Sequence, residues 1–410
     1  MNSGDTAWVL MSTALVLLMT IPGLAFFYGG LVRRKNVLSI LMQCFIILCV
    51  ISLQWILFGY SLAFGPDVHG LIGNLDWAGL KGVGSLPNAD YAATIPHIVF
   101  MIFQMMFAVI TPALIIGAYA ERVKFPAFLL FTVLWATFVY DPLAHWVWGT
   151  GGWLKKMGVL DFAGGIVVHV SSGISALVLA VLLGKRISYN HRPIRPHNLP
   201  FTVLGAALLW FGWFGFNAGS ALAADGIAAN AFLTTNTAAA AAGLTWAIIE
   251  WWQNGTPTIL GTVTGAVAGL ATVTAASGFI NPINAIFVGI AAAVLCYIFV
   301  AIIKTKLGYD DSLDAFGVHG VGGALGTIAL GLFCEKTINA AGNNGLLFGN
   351  PKQFFIQCLA VAVPIIFTAI MTWLIFKIVD VLIGMRVEEK NEIIGLDLTQ
   401  QSEAAYTVIE

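Results

Sequence analysis

Charge is the first thing this sequence lacks. Asp, Glu, Lys and Arg make up 10% of its 410 residues, against about a quarter in a soluble globular chain, and residues 201–300 contain only Asp225 and Glu250. Water cannot be the main solvent for such a chain. A formal net charge of −1 supplies no basic surface to displace counterions from phosphates, so nucleic-acid binding is excluded. Disorder is excluded by the same shortage of charge beside 59% hydrophobic residues. Cysteine is sparse and unpatterned: Cys44, Cys49, Cys296, Cys334 and Cys358 form no CxxC pair and have no histidine at ligand spacing, so neither a disulfide framework nor a metal site is expected. Phosphate-cradling glycine loops of the GxxxxGK[ST] or GxGxxG type are missing as well, as is any motif that gathers Ser, His and Asp around a nucleophile. No catalytic residue and no cofactor are expected, and the protein reads as no enzyme. The opening MNSGDTAW carries no basic stretch before its apolar run, so the first run is expected to stay as a permanent span.

Long apolar runs are what the chain has instead. A hydrocarbon core about 30 Å thick takes roughly 20 apolar residues of helix, and that ruler finds eleven runs: Ala7–Leu31, Val37–Phe64, Ile98–Ala120, Pro126–Trp148, Phe162–Leu183, Pro200–Leu222, Ala228–Trp252, Thr258–Ala275, Phe279–Ile303, Ala315–Phe333 and Phe354–Ile383. Continuous runs argue for helices, because strands of a membrane barrel alternate polar and apolar residues. The run from Thr258 is short and rich in Gly and Ala, the composition of closely packed membrane helices. Placing the N-terminus outside puts fourteen of the nineteen Lys and Arg residues, Arg192 among them, on the cytoplasmic side, as the positive-inside rule requires. The expected fold is an all-α polytopic membrane protein of eleven spans over residues 1–383, N-terminus out and C-terminus in. Residues 384–410 hold six acidic side chains and no long apolar run, and read as a cytoplasmic tail.

Two spans open alike, with DFAGGIVVH at 161–169 and DAFGVHGVGG at 314–323. If spans one to five and six to ten are related units, five being odd, the second unit enters the membrane upside down, the inverted repeat of many transporters; the eleventh span then lies outside the repeat. Ionisable groups at membrane depth are rare and costly, which draws attention to His169 and His319. His169 lies eight residues beyond Asp161, about 12 Å along a helix, and His319 approaches the same depth from the opposite side. The pair is expected to meet and share a hydrogen bond along a narrow path; the plainer alternative is two separate core histidines bonded to carbonyls. Asp161 is placed to cap its helix, with lone pairs left over for a cation, whereas Asp314 reads mainly as a cap. Trp148, Trp146 and Tyr140 suit an interfacial aromatic belt or the ring faces of a cation site. Phe107 and Phe216 suit ordinary packing.

Several stretches carry a further resemblance: IPGLAFFYGGLVRRKNVLS (21–39), GAYAERVKF (117–125), DFAGGIVVH (161–169), RPHNLP (195–200), GWFGFNAGS (212–220), FGVHGVGG (316–323) and GLDLTQQSEAAY (395–406). From Ala7 to Tyr406 the chain resembles the ammonium transporter family (Amt/Mep/Rh), in its bacterial and archaeal Amt branch. The resemblance implies a homotrimer in the cell membrane whose subunits each carry a narrow pore for ammonium, ammonia or methylammonium. On the matching positions it implies an external recognition site of Phe107, Trp148, Ser220 and Asp161, a gate of stacked Phe107 and Phe216, and a hydrophobic conduit lined by His169 and His319, with Asp161 also aiding deprotonation. An ammonium sensor signalling through the tail is the alternative. A PII-type regulatory protein is the implied partner at the tail, where Gln401 and Ser402 replace the family's usual His and Gly.

Overall fold

The computed structural model describes residues 1–189 and 194–406; Arg192, counted above toward the basic side, lies outside them. Among the described residues, ten helical stretches are long and apolar enough to cross a membrane. With one shorter helix they are numbered here in chain order: α1 Ser3–Leu31, α2 Arg34–Phe64, α3 His97–Tyr119, α4 Phe125–Val147, α5 Gly165–Leu183, α6 Leu199–Ala221, α7 Gly226–Asn254, α8 Ile259–Val273, α9 Pro282–Leu307, α10 Phe316–Phe333 and α11 Pro351–Leu382. The eighth has 15 residues, about 22 Å of helix, short of a full crossing; beyond Val273 the chain runs on in turns.

Side chains at the starts explain where several helices begin. Asn2 accepts from the amides of Gly4 and Asp5, which starts α1 ahead of its apolar run. Asn198, Asp225, Thr258 and Asn281 do the same for α6, α7, α8 and α9, satisfying donors that a helix leaves open. Several helices contain a wide π-type turn, including Gly165–Val170 in α5 and Phe316–Gly320 in α10. Such turns shift the face on which later side chains emerge and recur at functional sites.

The core of the bundle is α3, α5 and α10, whose most apolar stretches are 83%, 78% and 67% buried, against 33% for α9. Phe45, Leu53, Leu57, Phe287 and Ile366 point outward, as lipid-facing side chains do. Small residues let backbones touch: a Cβ on Gly269 or Gly289 would lie 2.6 or 2.4 Å from the Ala238 carbonyl oxygen, so α8 and α9 both press on α7.

At the other extremity, the tail folds back onto the bundle through two short helices, α12 Glu389–Ile394 and α13 Leu396–Gln401. Leu396 N donates to Asn36 Oδ1 at 2.8 Å, and Asp397 Oδ1 accepts from Ser39 N at 2.8 Å. Glu392, 2% exposed, accepts from Ile187 N at 2.8 Å and pairs with Arg386 at 2.9 Å.

Candidate functional site

A cavity of about 350 Å³ opens at the end of the bundle opposite the tail, lined by Gln104, Phe107, Trp148, Asp161, Phe162 and Ser220 among others. Its floor is aromatic. Phe107 on α3 and Phe216 on α6 stack with centroids 4.2 Å apart and planes 26° from parallel. Trp148, one residue past α4, meets Phe107 edge-on at 6.0 Å and is held by its Nε1–H, which donates to the Asp161 carbonyl at 2.9 Å. Ser220 donates its hydroxyl proton to the Phe216 carbonyl at 2.8 Å, which leaves the oxygen lone pairs as acceptors. Ring faces and a hydroxyl oxygen together suit a small cation that can donate hydrogen bonds.

Asp161 precedes α5 and accepts four amides, from Gly164, Gly165, Ile166 and Val167 at 2.7 to 3.2 Å. The carboxylate is 8% exposed and still lines the cavity, so the cap leaves it next to whatever enters. Burial raises the carboxyl to about 6, against the pull of the positively polarised amides at the helix start, which favour its charged form.

Beneath the phenylalanine stack lies a void of about 10 Å³ walled by Ile110, Leu114, Leu209, Trp213, Phe216, His169 and His319, among others. That is about the volume one water needs, in walls that are apolar except for two imidazoles. His169 and His319 do meet. Their rings are 5.2 Å apart and 12° from parallel, and Trp213 stacks on His169 at 5.6 Å. The hydrogen bond expected between them is not formed, because the rings lie face to face; His169 Nδ1, His169 Nε2 and His319 Nδ1 have no partner among the described residues. Nor are they bonded to carbonyls, the plainer expectation. Beyond His319 a third cavity, about 560 Å³, opens toward the tail end and takes in Lys304, Asp314 and Glu250. Phe107 lines the first space and Phe216, stacked on it, lines the second, while His319 borders both the second and the third.

The likeness between the two span openings lies in a different register from the one read off the sequence. Asp314 does not cap α10: its φ is +63° and its carboxylate pairs with Lys304 on α9. The cap is Asp311, which accepts from Ala315 N at 3.1 Å and Phe316 N at 2.8 Å. Asp311 precedes His319 by eight residues, as Asp161 precedes His169, and each histidine is followed four residues later by glycine, Gly173 and Gly323. That spacing is legible in the sequence, although Asp314 stands nearer the histidine. Of the proposed belt, Tyr140 is instead fully buried, and Trp146 packs on Phe367 at 4.5 Å while its Nε1–H donates to Leu71 O.

Residues 7–406 match the Ammonium Transporter Family. The chain belongs to that family. It is 53% identical to the ammonium transporter of Bacillus subtilis strain 168 over 99% of both chains. Among solved structures, Mep2 of Candida albicans superposes with a TM-score of 0.90 at 34% identity, over 95% of this chain and 87% of that one. A protein described as a sensor Amt protein superposes with a TM-score of 0.89 at 32% identity, over 97% and 98%. Membership makes this chain a multi-pass membrane protein and not an enzyme.

Proposed function

We propose that this protein conducts ammonium nitrogen across the cell membrane through the path marked by the three cavities. The observation that carries the reading is their order: a site of ring faces and acceptor oxygens, a phenylalanine stack, and an apolar void whose only polar lining is two imidazoles. Ammonium and potassium share size and charge, so a ring of oxygens selecting on radius would not separate them. Hydrogen bonding and proton loss do. A cation drawn to Trp148, Phe107 and Ser220 beside the Asp161 carboxylate meets, below Phe107, surroundings that disfavour charge, since desolvation lowers the pKa of a cationic amine. Ammonia passes on, and potassium, with no proton to shed, does not. On this reading Phe107 and Phe216 are the gate and His169 and His319 line the conduit.

The Trp148 end is outside and the tail inside, as the distribution of Lys and Arg supports. The helix α8 serves as the remaining span, giving eleven. The Asp161–His169–Gly173 and Asp311–His319–Gly323 registers support two five-helix units of opposite orientation, with α11 outside them. The assembly is a homotrimer, no cofactor takes part, and residues 384–410 form the tail that a PII-type regulator would meet.

Ammonium-evoked current from the purified chain in liposomes, with and without potassium, tests the proposal. The expected result is a saturable current that potassium neither carries nor blocks; equal potassium current overturns it. The likeness to a sensor Amt protein keeps a second reading, signalling through the tail. Radiolabelled methylammonium uptake in transport-deficient cells separates them, because binding without flux would favour the sensor.

A further inference from the structure

His145 stands three residues before Trp148, is fully buried at the end of α4, and has an acceptor at each ring nitrogen. Nδ1 lies 3.0 Å from the Ala63 carbonyl oxygen, and Nε2 lies 3.0 Å from Asp67 Oδ1. A carbonyl has no proton to offer. The carboxylate has none either, for Oδ1 already accepts from Gly70 N at 2.7 Å and Oδ2 faces the Lys156 ammonium at 3.4 Å. Burial alone would raise the Asp67 carboxyl, yet its contacts with His145, Gly70 and Lys156 bring it below its ordinary value. A neutral imidazole carries one N–H, the imidazolium two. Both contacts are hydrogen bonds only when the ring is charged.

The clamp reaches Trp148 through the backbone. The His145 carbonyl accepts from Gly149 N at 3.0 Å, and the Trp148 carbonyl accepts from Lys155 Nζ at 2.8 Å. A Cβ on Gly152 would lie 2.0 Å from the His145 carbonyl oxygen, so this turn is wound directly over the histidine. Asp67 opens a two-stranded hairpin, β1 Asp67–Val68 and β2 Ile72–Gly73, and its Gly70 carbonyl accepts from Trp153 N at 3.2 Å. The hairpin and the turn bearing Trp148 are thus fastened to one imidazole.

We propose that His145, held as an imidazolium between Ala63 and Asp67, is a positioning residue that fixes the Trp148 ring for cation recognition. The inference rests on Trp148 belonging to the recognition site. Asp67 and Lys156 are the charged groups facing the clamp, and Lys155 and Asp90 line the neighbouring recognition cavity.

Two measurements test this on the full chain. Ring ¹⁵N NMR of histidine-labelled protein, with His145 assigned by the signal missing in His145→Gln, should show both His145 nitrogens protonated at neutral pH; one bare nitrogen overturns the proposal. In liposomes, His145→Gln should raise the half-saturating ammonium concentration about three- to tenfold, well within what misplaced binding groups cost, while saturating current is unchanged; an unaltered half-saturation overturns it. Asp67→Asn, on the exposed hairpin, should act in the same direction if His145→Gln fails to insert, and an unaltered value there is equally fatal. Trp148→Leu run beside these keeps the two readings apart: if it leaves half-saturation unchanged, the recognition site has failed while the NMR result still judges the clamp.

Discussion

Gly173 of α5 abuts Gly320 of α10, so closely that a Cβ on Gly173 would fall 2.0 Å from the Gly320 amide nitrogen. The symmetric position behaves alike, for a Cβ on Gly323 would lie 2.7 Å from the His169 Cβ. Each glycine lies one helical turn past a histidine, and the two contacts set how near the imidazoles come. Gly173→Ala must therefore part the helices that carry the site. We expect a loss of about 1–3 kcal/mol or more from overpacking, seen as a lower unfolding temperature in detergent and lost ammonium current. Gly226→Ala, where a Cβ meets nothing within 4 Å, should change neither, and a Gly173→Ala protein as stable and active as the parent would refute the packing argument.

Asp161 is expected to serve both as cap and as site. Asp161→Ala removes the acceptor of four amides, a cap change that costs about 0.5–2 kcal/mol, which a multi-helix bundle survives. The protein should still assemble while ammonium-evoked current nearly vanishes. Asp161→Asn keeps an acceptor for the cap without the charge, so it should recover stability and not current. Equal currents in the alanine variant and the parent would refute the role in transport.

For the imidazoles, replacing both His169 and His319 by Leu should preserve assembly, because the void around them is otherwise apolar. What should change is selectivity or proton coupling, read as potassium current or as a loss of charge moved per ammonium. A current still carried only by ammonium, with its coupling intact, would remove the pair from the mechanism.

The tail end offers a pH test. Glu121 sits at φ +75° between α3 and α4, 2.8 Å from the Arg33 guanidinium and 3.2 Å from that of Arg186; Arg186 also grips Asp310 at 2.8 Å. Burial alone would raise both carboxyls, but Arg186 with Arg33, and Arg186 with Arg122, hold Glu121 and Asp310 below their ordinary values. A depressed native pKa stabilises the fold above the unfolded value, about 4 for these groups, and that stabilisation is lost as pH falls through the native one. Unfolding temperatures of parent and Glu121→Gln should thus differ at pH 7, with the gap narrowing as pH falls below the unfolded value; a constant gap would count against the ion pairs.

Where the amino acids alone decide the outcome is in the spans and in the choice of histidines. Apolar runs of some 20 residues leave few alternatives to helix in lipid, and a histidine eight residues inside such a run has few neighbours other than another helix. Local pattern could not decide which of Asp311 and Asp314 caps α10. Both residue types suit a cap, and a contact from Lys304 on a different helix takes Asp314 away. The length of α8 was likewise beyond the hydropathy pattern, which continues past Val273 after the helix has ended. Only the assembled bundle settles that two imidazoles stack without bonding, because their spacing is set by glycine contacts between α5 and α10 and by the Trp213 ring. Composition selects the solvent and the secondary structure, since each residue's transfer free energy acts locally. Distances between side chains from remote helices come from packing, which no stretch of sequence contains by itself.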